Sequence, residues 1–573
     1  MVTLKSVAAA FAAAALLLAG APVFAQQQLL EYPSIHHPVI TQRGMVVSQN
    51  AIATEAGVEM LRKGGNAVDA AVATAFALAV TLPRAGNLGG DGFMLVHIAK
   101  TKETLFIDYR SIAPRAARIE DFVGPDGKEL KEASEGYRAP AVPGTVAGLE
   151  LAHRKWGKLP WKTVLAPAIR LADKGVALSP DEAFVFTWGR ERLSQSEPAK
   201  AAFYHRDGSL YGAGETLRQP DLAWTLRQIS RGGARAFYEG PVAERLVADL
   251  QAHGGLITLE DMAAYRAALR APLVGSYRGL TVVTAPPASA GGASLLQMLN
   301  VLERFDMKAA RQGSAKSTHL IAETLKLVTA DRYRYLGDTD FTKVPLAGFT
   351  SKPYAAERAR LIDPDHAKPA KALGAGDPWA YESPNTTHLS VADAEGNAVS
   401  NTFTLGSDFG SGVMAKGTGF LLNNQMNNFS HEQAVEARER NEPPPANGMA
   451  PGKRMLSTMM PTMIFKDGKP WMIAGTPGGG AIIGAMLQLI VNVVDYDLNI
   501  AEATHRPRIH QDTGETLAVE PGFNPDTTDR LIAMGHKVRP RQTIGSAQSI
   551  IVQDGLFLGA PDPRRPGADA AGP

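Results

Sequence analysis

Residues 67–81, AVDAAVATAFALAVT, limit the possible folds more than any other stretch of this chain. The run has the length and composition of a helix. It is small and apolar on every face, where a surface helix would confine its apolar residues to one stripe. Such a helix has no side to turn toward water, so it must be buried between layers. The helix before it ends at Gly64-Gly65, a C-terminal stop signal. The chain is long enough to supply the cover: 573 residues with 45% apolar content allow a large core, or two domains that share one.

The rest of the pattern says what the layers are made of. GFMLVHIA and TLFIDYR read as strands, residues 140–270 as mostly helical, and GLTVVTAPP as a short strand. GASLLQMLNVLERF and STHLIAETLKLVTADRYRYLG read as helices. Residues 364–385 break the pattern, being rich in Pro, Gly and Ala without periodicity. Beyond them THLSVAD, AVSNTFTL and TMIFKDGKPWMIAG alternate like strands, and DAEGN and KDGK are hairpin links. A helix, AIIGAMLQLIVNVVDY, follows. Hairpins make these strands antiparallel, so the chain reads as α+β, sheets covered by helices, and not as a doubly wound parallel sheet. A second polar, Pro-rich stretch, 431–455, has the length of a lid or a disordered cover.

Several functions are excluded at once. A formal charge of +2 gives no ground for a nucleic-acid or acidic partner. With no cysteine, no disulfide, zinc-thiolate site or cysteine nucleophile can form. There is no H-E-x-x-H and no G-x-S-x-G, and His36-His37 stands alone in the N-terminal segment, so no metal is expected. The N-terminus, with Lys5 before SVAAAFAAAALLLAG and VFA ending at Ala25, reads as a signal peptide over 1–25; an N-terminal anchor is the other reading. No later stretch reaches about 18 uncharged apolar residues. A periplasmic or secreted protein without a membrane span after signal removal is expected.

Three short motifs each carry two readings. GTPGGGAIIGA (475–485) lacks the lysine of a phosphate loop; it is a plain strand-to-helix turn, or a set of backbone N–H groups suited to a developing oxyanion. Arg110, at a strand end before a turn, is an ordinary ion-pair partner, or a planar fork for a substrate carboxylate. SPNTTHLSV (383–391) is a strand opening after a loop, or a site where the chain cuts itself.

Taken in order, the motifs resemble the gamma-glutamyltranspeptidases, of the N-terminal-nucleophile hydrolase superfamily. The resemblance rests on GGNAVDAAVA, NLGGDGFML, VPGTVAGLE, PPASAGGASLLQMLN, ADRYRYLGD, TTHLSVAD, GFLLNNQMNNF, STMMPT, GTPGGG, AEATHRPR and DPRRPGADAAG, from about residue 40 to the end. It implies a four-layer αββα sandwich of two mainly antiparallel sheets flanked by helices. It implies self-cleavage of the Asn385–Thr386 bond into a large subunit, 26–385, and a small one, 386–573, that stay together as a heterodimer. Thr386 is then the nucleophile and its freed α-amine the base. Thr404 assists, and the N–H groups of Gly478 and Gly479 form the oxyanion hole. Arg110, Ser457 and Thr458 match residues at the substrate carboxylate; Gln425 and Asn428 lie at the ammonium end. No cofactor is implied. The substrate is a small γ-glutamyl compound such as glutathione, and the acyl acceptor is water, an amino acid or a dipeptide.

This sequence departs from the family at two places. Asn428 stands where the family usually has Asp, and Gly406 where it has Asn, so the ammonium end of the site is expected to be weakened; Asp408 is a candidate to replace the missing anion. Thr458 for Ser is milder. The 431–455 segment lacks an aromatic latch, which favours hydrolysis over transfer. Two alternatives follow: a glutaryl-amide acylase of the cephalosporin type with the same mechanism, and an uncut, inactive binding homologue.

Overall fold

Why residues 67–81 need cover on all sides is visible in their packing. In the structure, a computed structural model that describes residues 32–376 and 387–573, every residue of the helix Ala67–Thr81 is buried. Asn66 caps it through a reciprocal capping box with Asp69. The preceding helix, Ala51–Arg62, is capped by Asn50, and the chain reverses at Gly64, where φ is +82°. The expected signal segment, 1–25, and the Asn385–Thr386 bond lie outside the described residues. Residues 32–37 stand as a short unit of their own.

From Pro38 onward, two seven-stranded sheets form the centre. One runs, in spatial order, Asp569–Ala571, Gly44–Ser48, Thr387–Asp393, Ala398–Thr404, Asp91–Ile98, Glu103–Tyr109 and Ala268–Arg270. The other runs Val39–Thr41, Leu556–Ala560, Gln548–Gln553, Lys469–Gly475, Thr462–Lys466, Leu280–Thr284 and Leu273–Tyr277. Every pairing within both is antiparallel. The two hairpins read from DAEGN and KDGK are those joining 387–393 to 398–404 and 462–466 to 469–475.

Strand alternation decides which layer each side chain serves. On strand 387–393, Leu389 and Val391 point into a core shared with the helices at 51–62 and 67–81. His388 and Ser390 face the second sheet, where the Ser390 hydroxyl donates to the Gln548 carbonyl at 2.9 Å. The helices Gly291–Leu302, Ala315–Tyr335 and Ala481–Val494 cover the outer face of that second sheet. The order is helices, sheet, sheet, helices: the αββα sandwich. Burying a Phe or Leu of these cores contributes roughly 1.5–3 kcal/mol each.

The polar segment 431–455 differs from its expected irregularity. Its first part is a helix, His431–Glu439. His431, Val435 and Ala437 turn inward, and the His431 ring stacks on Phe122 at 5.1 Å. Tertiary packing thus imposes a helix on a sequence with little apolar periodicity of its own.

Candidate active site

Three neighbouring strands of the first sheet end side by side. Thr404 closes 398–404, Asp91 opens the strand paired with it, and Arg110 follows the last residue of the next. The pairing sets Thr404 directly opposite Asp91, and Gly92 opposite Tyr109. Antiparallel register therefore gathers residues that are up to 313 positions apart in sequence, without help from any loop.

Arg110 is 1% exposed, and each nitrogen of its guanidinium makes one hydrogen bond, which leaves a second N–H on each Nη. Nη1 donates to Asp91 Oδ1 at 2.7 Å, Nε to the Met455 carbonyl at 3.1 Å and Nη2 to the Leu456 carbonyl at 2.7 Å. The other oxygen of Asp91 accepts the Ser111 N–H at 3.0 Å. Burial raises the Asp91 carboxyl above the usual range, against the pull of Arg110. Gln425 Nε2 reaches Asp91 Oδ1 at 3.4 Å, and Asn428 Nδ2 donates to Gln425 Oε1. Asp91 thus joins both ends of the expected substrate site. It was not singled out from the sequence, although it lies inside NLGGDGFML.

The two carbonyls that hold Arg110 immediately precede Ser457 and Thr458. The Ser457 backbone is fixed between Ala288 and Ala290, its carbonyl accepting the Ala290 N–H at 2.7 Å and its N–H donating to the Ala288 carbonyl at 3.2 Å. The Thr458 hydroxyl donates to the Gly479 carbonyl at 3.0 Å, tying this segment to the turn before helix 481–494. That turn needs glycine: φ is +138° at Gly478 and +62° at Gly479. The carbonyls of Gly478 and Gly479 accept the Ala481 and Ile482 N–H groups and start the helix. Their own N–H groups lie at its positive end, where an anion is favoured.

At the other expected departure, Gly406 has φ +99°, its N–H donates to the Thr404 hydroxyl at 2.8 Å, and the space beside it is filled. A Cβ built there would lie 2.1 Å from Asn424 Oδ1. Asn424 accepts the Ser407 N–H at 3.0 Å and donates to the Ser407 hydroxyl and the Ser134 carbonyl, each at 3.1 Å. A neighbouring amide thus occupies the room that an Asn at 406 would need. Asp408 is turned elsewhere. Its carboxylate lies 3.5 Å from Arg84, which is also bound to Glu182 at 2.6 Å and Asp181 at 3.4 Å. The base of the 431–455 segment meets this end of the site through Asn447, which donates to the Asn428 carbonyl at 2.7 Å and accepts the Leu456 N–H at 2.9 Å.

Thr386 lies outside the described residues. The strand begins at Thr387, whose hydroxyl donates to Gln49 Oε1 at 2.8 Å. His388 offers no base: burial pushes it down to about 3, and its ring nitrogens lie 2.9 and 3.0 Å from the hydroxyls of Thr402 and Ser390. One cluster, His319, Glu323 and His536, groups potential metal ligands, all buried. Its members are already engaged: His319 Nδ1 lies 2.8 Å from His536 Nε2, its Nε2 donates to the Asp363 carbonyl, and Glu323 holds the Lys326 ammonium at 2.6 Å.

Comparison with known proteins places the chain. The Gamma-glutamyltranspeptidase family profile matches residues 53–572. The chain is 46% identical over 537 residues, 92% of each chain, to the glutathione hydrolase proenzyme of Escherichia coli strain K12. It is 38% identical over 533 residues, covering 91% of this chain and 92% of the other, to the acylase ACY 1 proenzyme of Pseudomonas sp. strain V22. The cephalosporin acylase structure from Bacillus halodurans superposes with a TM-score of 0.85 at 29% identity, covering 96% of this chain and 99% of that one. The chain belongs to the gamma-glutamyltranspeptidase family.

Proposed function

We propose that this protein is a self-cleaving γ-glutamyl hydrolase and transpeptidase, exported behind a signal peptide over 1–25, which acts through Thr386. What carries the reading is one connected set of groups. Thr404, Arg110, Gln425, Asn428, Ser457, Thr458 and Gly479 are linked by strand register or by hydrogen bonds through Asp91, Met455 and Leu456, and the network adjoins the strand that begins at Thr387.

The chemistry follows from what a threonine lacks. Its hydroxyl is a weak nucleophile without an adjacent base. An α-amine titrates at about 8, so a useful fraction is neutral near neutral pH. In the uncut chain that amine is an amide. For maturation, the Thr386 hydroxyl oxygen bonds to the Asn385 carbonyl carbon, the C–N bond breaks and the proton passes to the departing nitrogen. Water then splits the ester, leaving a carboxylate on Asn385 and a free amine and hydroxyl on Thr386. The products are the large subunit, 26–385, and the small one, 386–573.

In turnover Thr386 attacks the side-chain amide of the γ-glutamyl group, and the N–H groups of Gly478 and Gly479 receive the oxyanion, each worth about 3–4 kcal/mol. Arg110, Ser457 and Thr458 hold the substrate carboxylate, Gln425 and Asn428 its ammonium, and Thr404 orients the nucleophile. The α-amine of Thr386 takes the hydroxyl proton and passes it to the departing nitrogen as the C–N bond breaks, and water or an amino acid then takes the acyl group from the ester. Sequencing the smaller fragment tests this directly: it must begin at Thr386, and Thr386→Ala must leave one uncut, inactive chain.

A second reading is favoured by the ammonium end. Asn428 and Gln425 present neutral amides there, and the carboxylate that Gln425 reaches, Asp91, is already paired with Arg110. Acyl groups without an α-amine, such as glutaryl amides, then lose little. A preference of roughly 10³-fold in kcat/KM for a γ-glutamyl over a glutaryl anilide would exclude it.

A further inference from the structure

Helix 315–335 ends against the last described residues upstream of segment 377–386. Asp331 Oδ1 accepts the Gly376 N–H at 2.7 Å, and the Tyr335 hydroxyl donates to the Gly376 carbonyl at 2.5 Å. Arg358 Nη2 donates to the Gly374 carbonyl at 2.7 Å. The gripping groups are themselves fixed. Asp331 Oδ2 accepts from Gln297 Nε2 at 2.6 Å and from Arg358 Nε at 3.1 Å, and Asp331, Arg358 and Gln297 are buried. The main chain is drawn in so closely that a Cβ on Gly376 would lie 2.3 Å from the Tyr354 hydroxyl.

A buried ion pair is a costly way to hold a loop, because its desolvation offsets much of its attraction. Here it holds two main-chain groups, and Tyr335 a third, in a stretch that has few side chains to pack. At the downstream end, Thr387 is fixed by pairing opposite Phe403 and by its bond to Gln49. Ten residues, 377–386, therefore join two anchored points. Anchoring both ends removes chain freedom that would otherwise be lost on reaching a reactive geometry.

We propose that Asp331, Arg358 and Tyr335 are positioning residues for self-cleavage, holding the chain at Gly374 and Gly376 and so fixing the upstream end of the segment that carries the Asn385–Thr386 bond. The proposal rests on the reading that the chain cuts itself there. The grip exchanges no proton and forms no bond in the reaction; it restricts where the scissile peptide can go.

The test is a time course of cleavage of purified full-length chain, wild type against Tyr335→Phe and Asp331→Asn, with kcat/KM afterwards measured per cleaved molecule. Tyr335→Phe keeps the ring and removes one hydrogen bond, so cleavage should slow about fivefold. Asp331→Asn should slow it further. In both, kcat/KM per cleaved molecule should equal that of the wild type. Wild-type cleavage rates in both variants overturn the proposal. So does slowing matched by an equal loss of kcat/KM per cleaved molecule, the mark of a general structural role. A wild-type chain that itself stays whole removes the self-cleavage reading and this proposal with it, an outcome distinct from variants that merely match a cutting wild type.

Discussion

Asp91 and Arg110 are bound to each other at 2.7 Å, and neither reaches solvent. Asp91→Asn keeps the shape and removes the charge, leaving a buried guanidinium without its counter-ion. The expected cost is about 3–5 kcal/mol in stability, read as a lower denaturant midpoint. Because the same oxygen accepts from Gln425, KM for a γ-glutamyl anilide should rise more than kcat falls.

Gly406→Ala should destabilise the protein. The new Cβ meets Asn424 Oδ1, and the positive φ disfavours any side chain. A loss of about 1–3 kcal/mol is expected, and the double variant Gly406→Ala with Asn424→Gly should recover part of it in a thermal melt.

Asn428→Asp places a carboxylate at the expected ammonium end. Charged hydrogen bonds exceed neutral ones by about 1–2 kcal/mol. The ratio of kcat/KM on γ-glutamyl to glutaryl anilide should therefore rise about tenfold, measured with both substrates on one preparation.

Gly478→Ala acts on the turn before helix 481–494. The Cβ would lie 3.0 Å from Gly545 Cα, so the turn must shift and its N–H groups with it. A fall in kcat of about 10²-fold or more is expected, with a smaller change in KM.

The acid limb of stability should carry a histidine signature. His388 is held down to about 3 by burial and His431 to about 4, against about 6.5 when unfolded. As pH falls below 6.5 the unfolded chain takes up these protons first. The stability is complete above 6.5 and drains away as pH falls to about 3 for His388 and about 4 for His431, by about 1.4 kcal/mol per pH unit for each group. His388→Gln should narrow the difference in melting temperature between pH 7 and pH 5.

Much of this architecture was legible because it is periodic. The all-round apolar helix at 67–81 and the hairpins at DAEGN and KDGK state their layer and pairing locally. Arg110 could be given its setting only through the family resemblance, since a single arginine at a strand end has many explanations. Asp91 was missed because its meaning lies in strand register, which sets it against Thr404 from far along the chain. Asn424 was missed for a related reason: its amide fills the space beside Gly406 only once two loops meet. Helix 431–439 depends on the Phe122 ring beneath it, which no local pattern announces.

Strands from before and after residue 386 alternate in both sheets. Thr387–Asp393 and Ala398–Thr404 lie between Gly44–Ser48 and Asp91–Ile98, and the later strands of the second sheet lie between Val39–Thr41 and Leu280–Thr284. Two polypeptides produced by a break at that point would be interwoven like the fingers of clasped hands. Dilution would not part them, and any treatment that did would first have to melt both sheets.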